Sequence, residues 1–250
     1  MTTPWRTAWI TGASSGLGRE LALRLAHEGV RVAVSARSAG KLGELTAAHS
    51  RLIAVPLDVT DRAAVAAAHD RVQAELGSID LAVLNAGVWH PMKAREYDAE
   101  RAAHSMAVNY FGIVNALEPL IPAMTSAGRG QIALVASVAG YRGLPMAAAY
   151  APSKAAVISL AEVLRLELSR HGIVVSLVNP GFVATPMTAV NEFPMPFILE
   201  ADDAADRIYR GLARGRFEIA FPWQLATMLK LLRVMPNAIF LRIARRMLVD

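Results

Sequence analysis

The chain has 250 residues, 54% of them hydrophobic, with no Ser/Gly/Pro-rich linker or charge block to divide it, which suits one domain with a large core. It contains no cysteine, which excludes a disulfide framework and a thiolate metal site, and its six histidines never fall at ligand spacing, so no metal is expected. The net charge of +5 sits at the end: Lys230, Arg233, Arg242, Arg245 and Arg246 against Asp250 leave 21 basic and 20 acidic residues upstream, a balance that argues against nucleic acid as a partner.

The start, "MTTPWRTAWITGASSG", has no basic flank before a long apolar stretch, and no segment approaches ~20 uncharged apolar residues. Neither secretion nor membrane spanning is indicated, and a reducing cytoplasm fits the lack of cysteine. Short runs rich in Val, Ile, Ala and Leu then recur along the chain: "TAWITGA" (7–13), "VRVAVSA" (30–36), "RLIAVPL" (51–57), "DLAVLNAG" (80–87), "QIALVAS" (131–137), "IVVSLVNPG" (173–181) and "FEIAF" (217–221). Apolar on both faces, they suit parallel strands covered on both sides.

Helical patterns lie between them. Thr60 or Asp61 can cap a helix whose apolar face is Val65, Ala68, Val72 and Leu76, with Gly77 as its stop. Asp98 to Met124 and Tyr150 to Arg170 read as two longer helices, the second started by Pro152, whose missing N–H has no partner in a first turn. Such alternation predicts a doubly wound parallel α/β sheet of about seven strands in a catalytic body over 1–222, followed by a helical extension over 223–250.

Two stretches carry chemistry on their own residues. After the first strand, in "TGASSGLGRELALRLAHEG", Gly12 lets the chain turn, Gly16 and Gly18 admit close approach of backbone, and a helix beginning near Leu17 offers unpaired N–H groups to a pyrophosphate. A ligand-free tight turn has the same glycines, but the place directly after the first strand favours the phosphate. The second strand ends in Ser35-Ala36-Arg37, where a fold preferring NAD usually places an acid; Arg37 can instead pair with a 2′-phosphate, which favours NADP over NAD. Further on, "AAAYAPSKAA" sets Tyr150 and Lys154 one helical turn apart, so phenol and ammonium share a face.

With "TGASSGLG", "LDVT", "LNAG", Asn109, Ser137, "YAPSK" and "NPGFVATP" in this order, the sequence resembles the short-chain dehydrogenase/reductase family over about residues 5 to 222. The resemblance implies a Rossmann-like fold in which Gly12, Ser14, Ser15, Gly16 and Leu17 hold the cofactor phosphates. It further implies that Asp58 and Val59 flank the adenine, that Asn85 and Gly87 line the cofactor cleft, and that Pro180, Gly181, Val183 and Thr185 cradle the nicotinamide side. Asn109, Ser137, Tyr150 and Lys154 become the catalytic tetrad. In that scheme Tyr150 passes a proton to a carbonyl oxygen, Lys154 draws its pKa down toward the working pH, Ser137 orients the oxygen, and Asn109 supports a water path to Lys154. Tyr150 and Lys154 also count among the cofactor contacts, and pairing of the long helices between subunits implies a homodimer or homotetramer.

Substrate selectivity is expected from segments outside the motifs, "VWHPM" (88–92), "YRGLPM" (141–146) and "MTAVNEFPMPFILE" (187–200), with Trp89, His90, Leu144, Phe193 and Phe197 as candidate contacts. Their scarcity of charge suits a small apolar or lipid-like substrate. A 3-oxoacyl thioester is the alternative, and a nucleotide-sensing or scaffold protein without turnover is the alternative of another class. The extension over 223–250, two short helices broken at Pro236 with basic stripes against apolar faces, bears a compositional likeness to tails of lipid-acting, ketosphinganine-reductase-like members. It is open to peripheral membrane contact, to packing on the body or substrate mouth, or to contact with a second subunit.

Overall fold

The computed structural model describes residues 3–245, so Arg246 and Asp250 of the basic extension lie outside the described residues. The strands are β1 Thr7–Thr11, β2 Arg31–Ser35, β3 Leu52–Ala54, β4 Leu81–Leu84, β5 Gly130–Val135, β6 Ile173–Pro180 and β7 Glu218–Phe221. The helices are α1 Gly16–His27, α2 Ala39–Ala47, α3 Arg62–Leu76, α4 Ala99–Met106, α5 Gly112–Ala127, α6 Tyr150–Leu168, α7 Ala201–Ala213, α8 Trp223–Val234 and α9 Asn237–Ala244. All strand pairs are parallel, in the order β3-β2-β1-β4-β5-β6-β7. The order reverses between β1 and β4, which opens a crevice at the carboxyl ends of those strands.

β1 and β4 are buried along their whole length, and β2, β5 and β6 at all but one residue near the start, whereas the edge strands β3 and β7 are only partly covered. On β1, Ala8 and Ile10 face a core closed by α1, α2 and α7, while Trp9 faces a core closed by α3, α5, α6 and α8. Asp61, rather than Thr60, caps α3 by accepting from the Ala64 N–H, and Gly77 ends it at φ 81°. The face predicted for α3 is buried, together with His69, which the apolar pattern alone passes over.

The long helix expected over 98–124 is interrupted. Asp98 caps α4 as an acceptor from Arg101 N–H, but residues Ala107–Phe111 form a π-helical turn before α5 continues to Ala127. Such a turn widens the backbone by one residue and is frequent at functional positions; its buried members are Val108 and Asn109. The helix starting at Tyr150 runs to Leu168 and ends in a 3-10 turn over Ser169–His171.

The extension folds onto the body. Leu225, Ala226, Leu229, Leu232 and Phe240 join the α3/α5/α6 core, whereas Leu231, Ile239 and Ile243, equally apolar in sequence, face solvent. No helix of the described residues is long and apolar enough to cross a membrane.

Candidate active site

At the switch between β1 and β4 the glycine turn is built by direct backbone approach. Thr11 Oγ1 accepts from the N–H groups of Asn85 and Ala86, and Asn85 Nδ2 donates to the carbonyls of Thr11 and Gly12 at 3.1 Å. A Cβ at Gly12 would lie 2.7 Å from Ala86 Cα, and one at Gly18 would lie 2.5 Å from both Asn85 Nδ2 and the Gly12 carbonyl oxygen. Side chains are excluded at both positions. Gly16 (φ 52°) lies under Thr185, whose methyl would be 2.9 Å from a Cβ there, so the segment after β6 folds over the turn. Helix α1 has no acid in its first turn, and the Ser15 side chain makes no capping bond, leaving its N-terminal N–H groups and dipole for an anion.

The turn opens into a cleft of about 1360 Å³, more than the ~300–1,000 Å³ typical of one small ligand. It takes in Gly12, Ser14, Ser15, Gly16, Leu17, Arg37, Asp58, Val59, Asn85, Gly87, Pro180, Gly181, Val183 and Thr185, together with Ser38 and Lys41, which no motif marks. Hydrogen bonding from the Thr60 N–H holds the Asp58 carboxyl below the usual carboxylate range against its partial burial, helped by the Thr60 hydroxyl and by Arg37. A glycine cradle, an uncapped helix start and two cations beyond it fit the phosphates of a dinucleotide.

Ser137, Tyr150 and Lys154 face the same cleft. Ser137, at the end of β5, accepts from Ala139 N–H at 3.1 Å and donates to the Pro180 carbonyl at 3.3 Å, which fixes its rotamer. Lys154 is 3% exposed and donates to the Val135 carbonyl at 2.9 Å; its Nζ lies 5.6 Å from the centre of the Tyr150 ring. Burial governs both titrations. It pushes the Tyr150 phenol up to about 12, with the Ser137 hydroxyl pulling the other way, and pushes the Lys154 ammonium down to about 8. The downward pull of Lys154 on Tyr150 expected from their spacing is not among the causes of the shift: burial raises the phenol, and the Ser137 hydroxyl is what opposes it.

Asn109 stands behind the cleft wall. Its Oδ1 accepts from Val88 N–H at 2.8 Å, and its Nδ2 donates to the Val88 carbonyl and to Ser153 Oγ. It thereby joins the end of β4 to α6, with Gly87 between it and Lys154: a Cβ at Gly87 would lie 3.2 Å from Asn109 Oδ1 and 3.5 Å from Lys154 Nζ.

Of the expected substrate contacts, Trp89, Leu144 and Phe193 line the cleft; His90 and Phe197 do not. His90 turns toward His104 on α4, with ring centres 6.0 Å apart, and the chain at Phe197 takes φ 59°, leaving the ring 52% exposed. Trp89 meets Tyr150 edge-on at 5.0 Å and donates its indole N–H to Asn191 Oδ1 at 2.8 Å, tying the segment after β4 to the loop after β6. Leu225, Met228 and Leu229 of α8 complete the lining. Local sequence patterns do not reveal Asn191 or these α8 residues, because their partners lie far away in the chain.

The model of the short chain dehydrogenase family matches residues 6–193. The chain belongs to that family. This dehydrogenase/reductase is 42% identical over 247 residues to an uncharacterized oxidoreductase of Myxococcus xanthus, covering 97% of this chain and 98% of the relative. It is similar to a short-chain dehydrogenase/reductase of Burkholderia phymatum in complex with NAD (TM-score 0.85, 28% identity, 92% of this chain and 94% of the other). It is likewise similar to a short-chain dehydrogenase of Burkholderia cenocepacia in complex with NADP (TM-score 0.85, 30% identity, 97% and 98%). The protein is thus an oxidoreductase acting between carbonyl and CH–OH groups with a nicotinamide dinucleotide.

Proposed function

We propose that this dehydrogenase/reductase reduces apolar, lipid-like ketones with NADPH. The observation that supports this most is the meeting of Tyr150, Ser137 and Lys154 in one cleft with the glycine turn, beside the apolar side chains Trp89, Leu144 and Phe193. The nicotinamide, when bound, supplies the hydride. The chain supplies the rest. Tyr150 Oη carries the proton that the carbonyl oxygen takes as negative charge develops on it, and a phenol held near 12 is fully protonated at neutral pH, which favours reduction over oxidation. Ser137 Oγ, fixed by Ala139 and Pro180, orients that oxygen, and Lys154, anchored on Val135, keeps a positive charge beside the donor. Asn109 acts as a positioning residue, holding the Gly87–Val88 backbone against α6.

For the cofactor, Arg37 and Lys41 at the end of β2 and the start of α2 offer cations to a 2′-phosphate, and Asp58, the nearby acid in the lining, is turned back on Thr60. Exposed Phe111, Val163 and Leu166 on the π-helical turn and α6 support pairing of subunits through these helices into a homodimer or homotetramer.

The test is a panel of ketolipids, steroids, acyl thioesters and small ketones, run with NADPH and NADH on the wild type and on Ala36→Asp with Arg37→Ala. Apolar ketones with NADPH should give the highest kcat/KM, and the double variant should lower the NADPH-to-NADH ratio by at least about tenfold, the scale of one lost charge-assisted bond. Turnover confined to thioesters would move the substrate to 3-oxoacyl groups. An unchanged cofactor ratio would remove Arg37 from the account, and no turnover with either cofactor would leave a non-catalytic nucleotide-binding role.

A further inference from the structure

The family match ends at residue 193, yet the cleft lining continues through Pro194, Pro196 and three side chains of α8. Those three are Leu225, Met228 and Leu229, all apolar and spaced as one helical face.

The helix is seated by contacts that reach back to the catalytic loops. At the end of β6, Gly181 N–H donates to the Phe221 carbonyl at 2.7 Å, and a Cβ on Gly181 would lie 2.9 Å from both Leu225 Cδ2 and Pro222 Cδ. The first turn of α8 therefore occupies the space that a side chain at 181 would need. Glu218 on β7 accepts from Tyr141 Oη at 2.5 Å and from Asn179 Nδ2 at 2.9 Å, and its other oxygen accepts from Lys230 of α8. Burial pushes the Glu218 carboxyl up, but the donors Lys230, Tyr141 and Asn179 outweigh it and hold it ionised. Arg142 donates to the Arg233 carbonyl at 3.1 Å and to Asn237 Oδ1 at 2.6 Å, and lies 4.3 Å over the Phe240 ring. A guanidinium there complements the negative end of α8.

Tyr141 and Arg142 follow Ser137 by a few residues and precede Leu144 and Met146, which point into the cleft. One loop thus joins the catalytic serine, the substrate lining and α8. We propose that α8 is the specificity wall of the substrate compartment: Leu225, Met228 and Leu229 set the length and bulk of the apolar group admitted, while Tyr141, Arg142, Glu218 and Lys230 are positioning residues that hold the wall against the catalytic loop. This rests on the reading of the substrate as an apolar ketone.

Met228 is the residue to change, because it lines the cleft yet is 45% exposed, so its replacement does not disturb the core. The experiment measures kcat/KM with NADPH for methyl ketones from butanone to dodecanone. Met228→Trp should lower the dodecanone-to-butanone ratio at least about tenfold and Met228→Ala should raise it, since one methylene in an apolar pocket is worth about 10–200-fold. Lys230→Met should flatten the same ratio and Lys230→Arg should restore it, a change of selectivity that loss of stability alone does not produce. In parallel, the same ketones displace anilinonaphthalenesulfonate from the NADPH-loaded protein. If the wild type reduces none of the ketones, the ketone-reductase reading fails on its own, and the wall is judged by displacement, where Met228→Trp must weaken dodecanone relative to butanone at least about tenfold. Equal ratios in the wild type and both Met228 variants, by turnover or by displacement, overturn the proposal.

Discussion

Replacing Tyr150 by phenylalanine is expected to lower ketone turnover by at least about 10²-fold, the contribution typical of a positioned acid-base group, while NADPH still binds. The ring stays, so its edge-on packing against Trp89 survives and the cleft keeps its shape; only the transferable proton and the bond with the Ser137 hydroxyl are removed. The pH profile of the wild type carries the same claim. Lys154, pushed down to about 8 by burial, is an ammonium below that pH and loses its charge as pH rises through it. For reduction, log kcat/KM should be level below about pH 8 and fall with unit slope above it, while the phenol, held near 12, stays protonated across the same window. A Phe variant retaining most of its turnover, or a profile level up to the ordinary lysine range of about 10.4, would contradict these assignments.

Deleting residues 223–250 is expected to bring aggregation or a large drop in melting temperature, with loss of turnover. The ordering entropy of the segment disappears with it, so the loss is set by the body surface it uncovers. Helix α8 covers the turn over Val138–Gly140, where Val138 and the following Tyr141 share its core and are each no more than 5% exposed. Returning such groups to water costs about 1.5–3 kcal/mol apiece, a sizeable part of the roughly 5–15 kcal/mol by which a domain is stable. Arg142 and the half-buried Glu218 would also lose their α8 and α9 partners. A truncated protein that stays folded and active but no longer co-floats with anionic vesicles would instead make the segment a membrane element, acting through the exposed ridge of Leu231, Val234, Ile239 and Leu241 with Arg233 and Arg242.

The five inner strands were legible because they are covered on both faces and so read as apolar runs, and the edge strands β3 and β7, only partly covered, because their short runs still stand out from the helical patterns beside them. The glycine turn was legible because backbone contacts of 2.5–2.7 Å forbid any other residue at 12 and 18. Tyr150 and Lys154 were legible through helical spacing. Features that depend on distant contacts left no local trace. The π-helical turn at 107–111 keeps the composition of a helix while shifting its register by one residue to serve Val88 and Ser153. Periodicity could not separate the buried Leu232 and Phe240 from the exposed Leu231 and Ile239, since all four stand in the same apolar pattern and the face that meets the body is set by distant contacts, the core packing together with those of Arg142, Lys230 and Gly181. His90 and Phe197 show the converse: aromatic rings in substrate-side loops, turned away by a neighbouring helix and by a left-handed backbone.

The most direct measurement is transfer of the label from NADPH carrying deuterium at its reactive position, with the product of an apolar ketone analysed by mass spectrometry. Direct hydride transfer predicts an alcohol with one deuterium on the carbinol carbon, formed in step with NADPH oxidation and reduced at least about 10²-fold in Tyr150→Phe. Oxidation of NADPH without label in the product, or label transfer at the same rate in the Phe variant, would contradict the account.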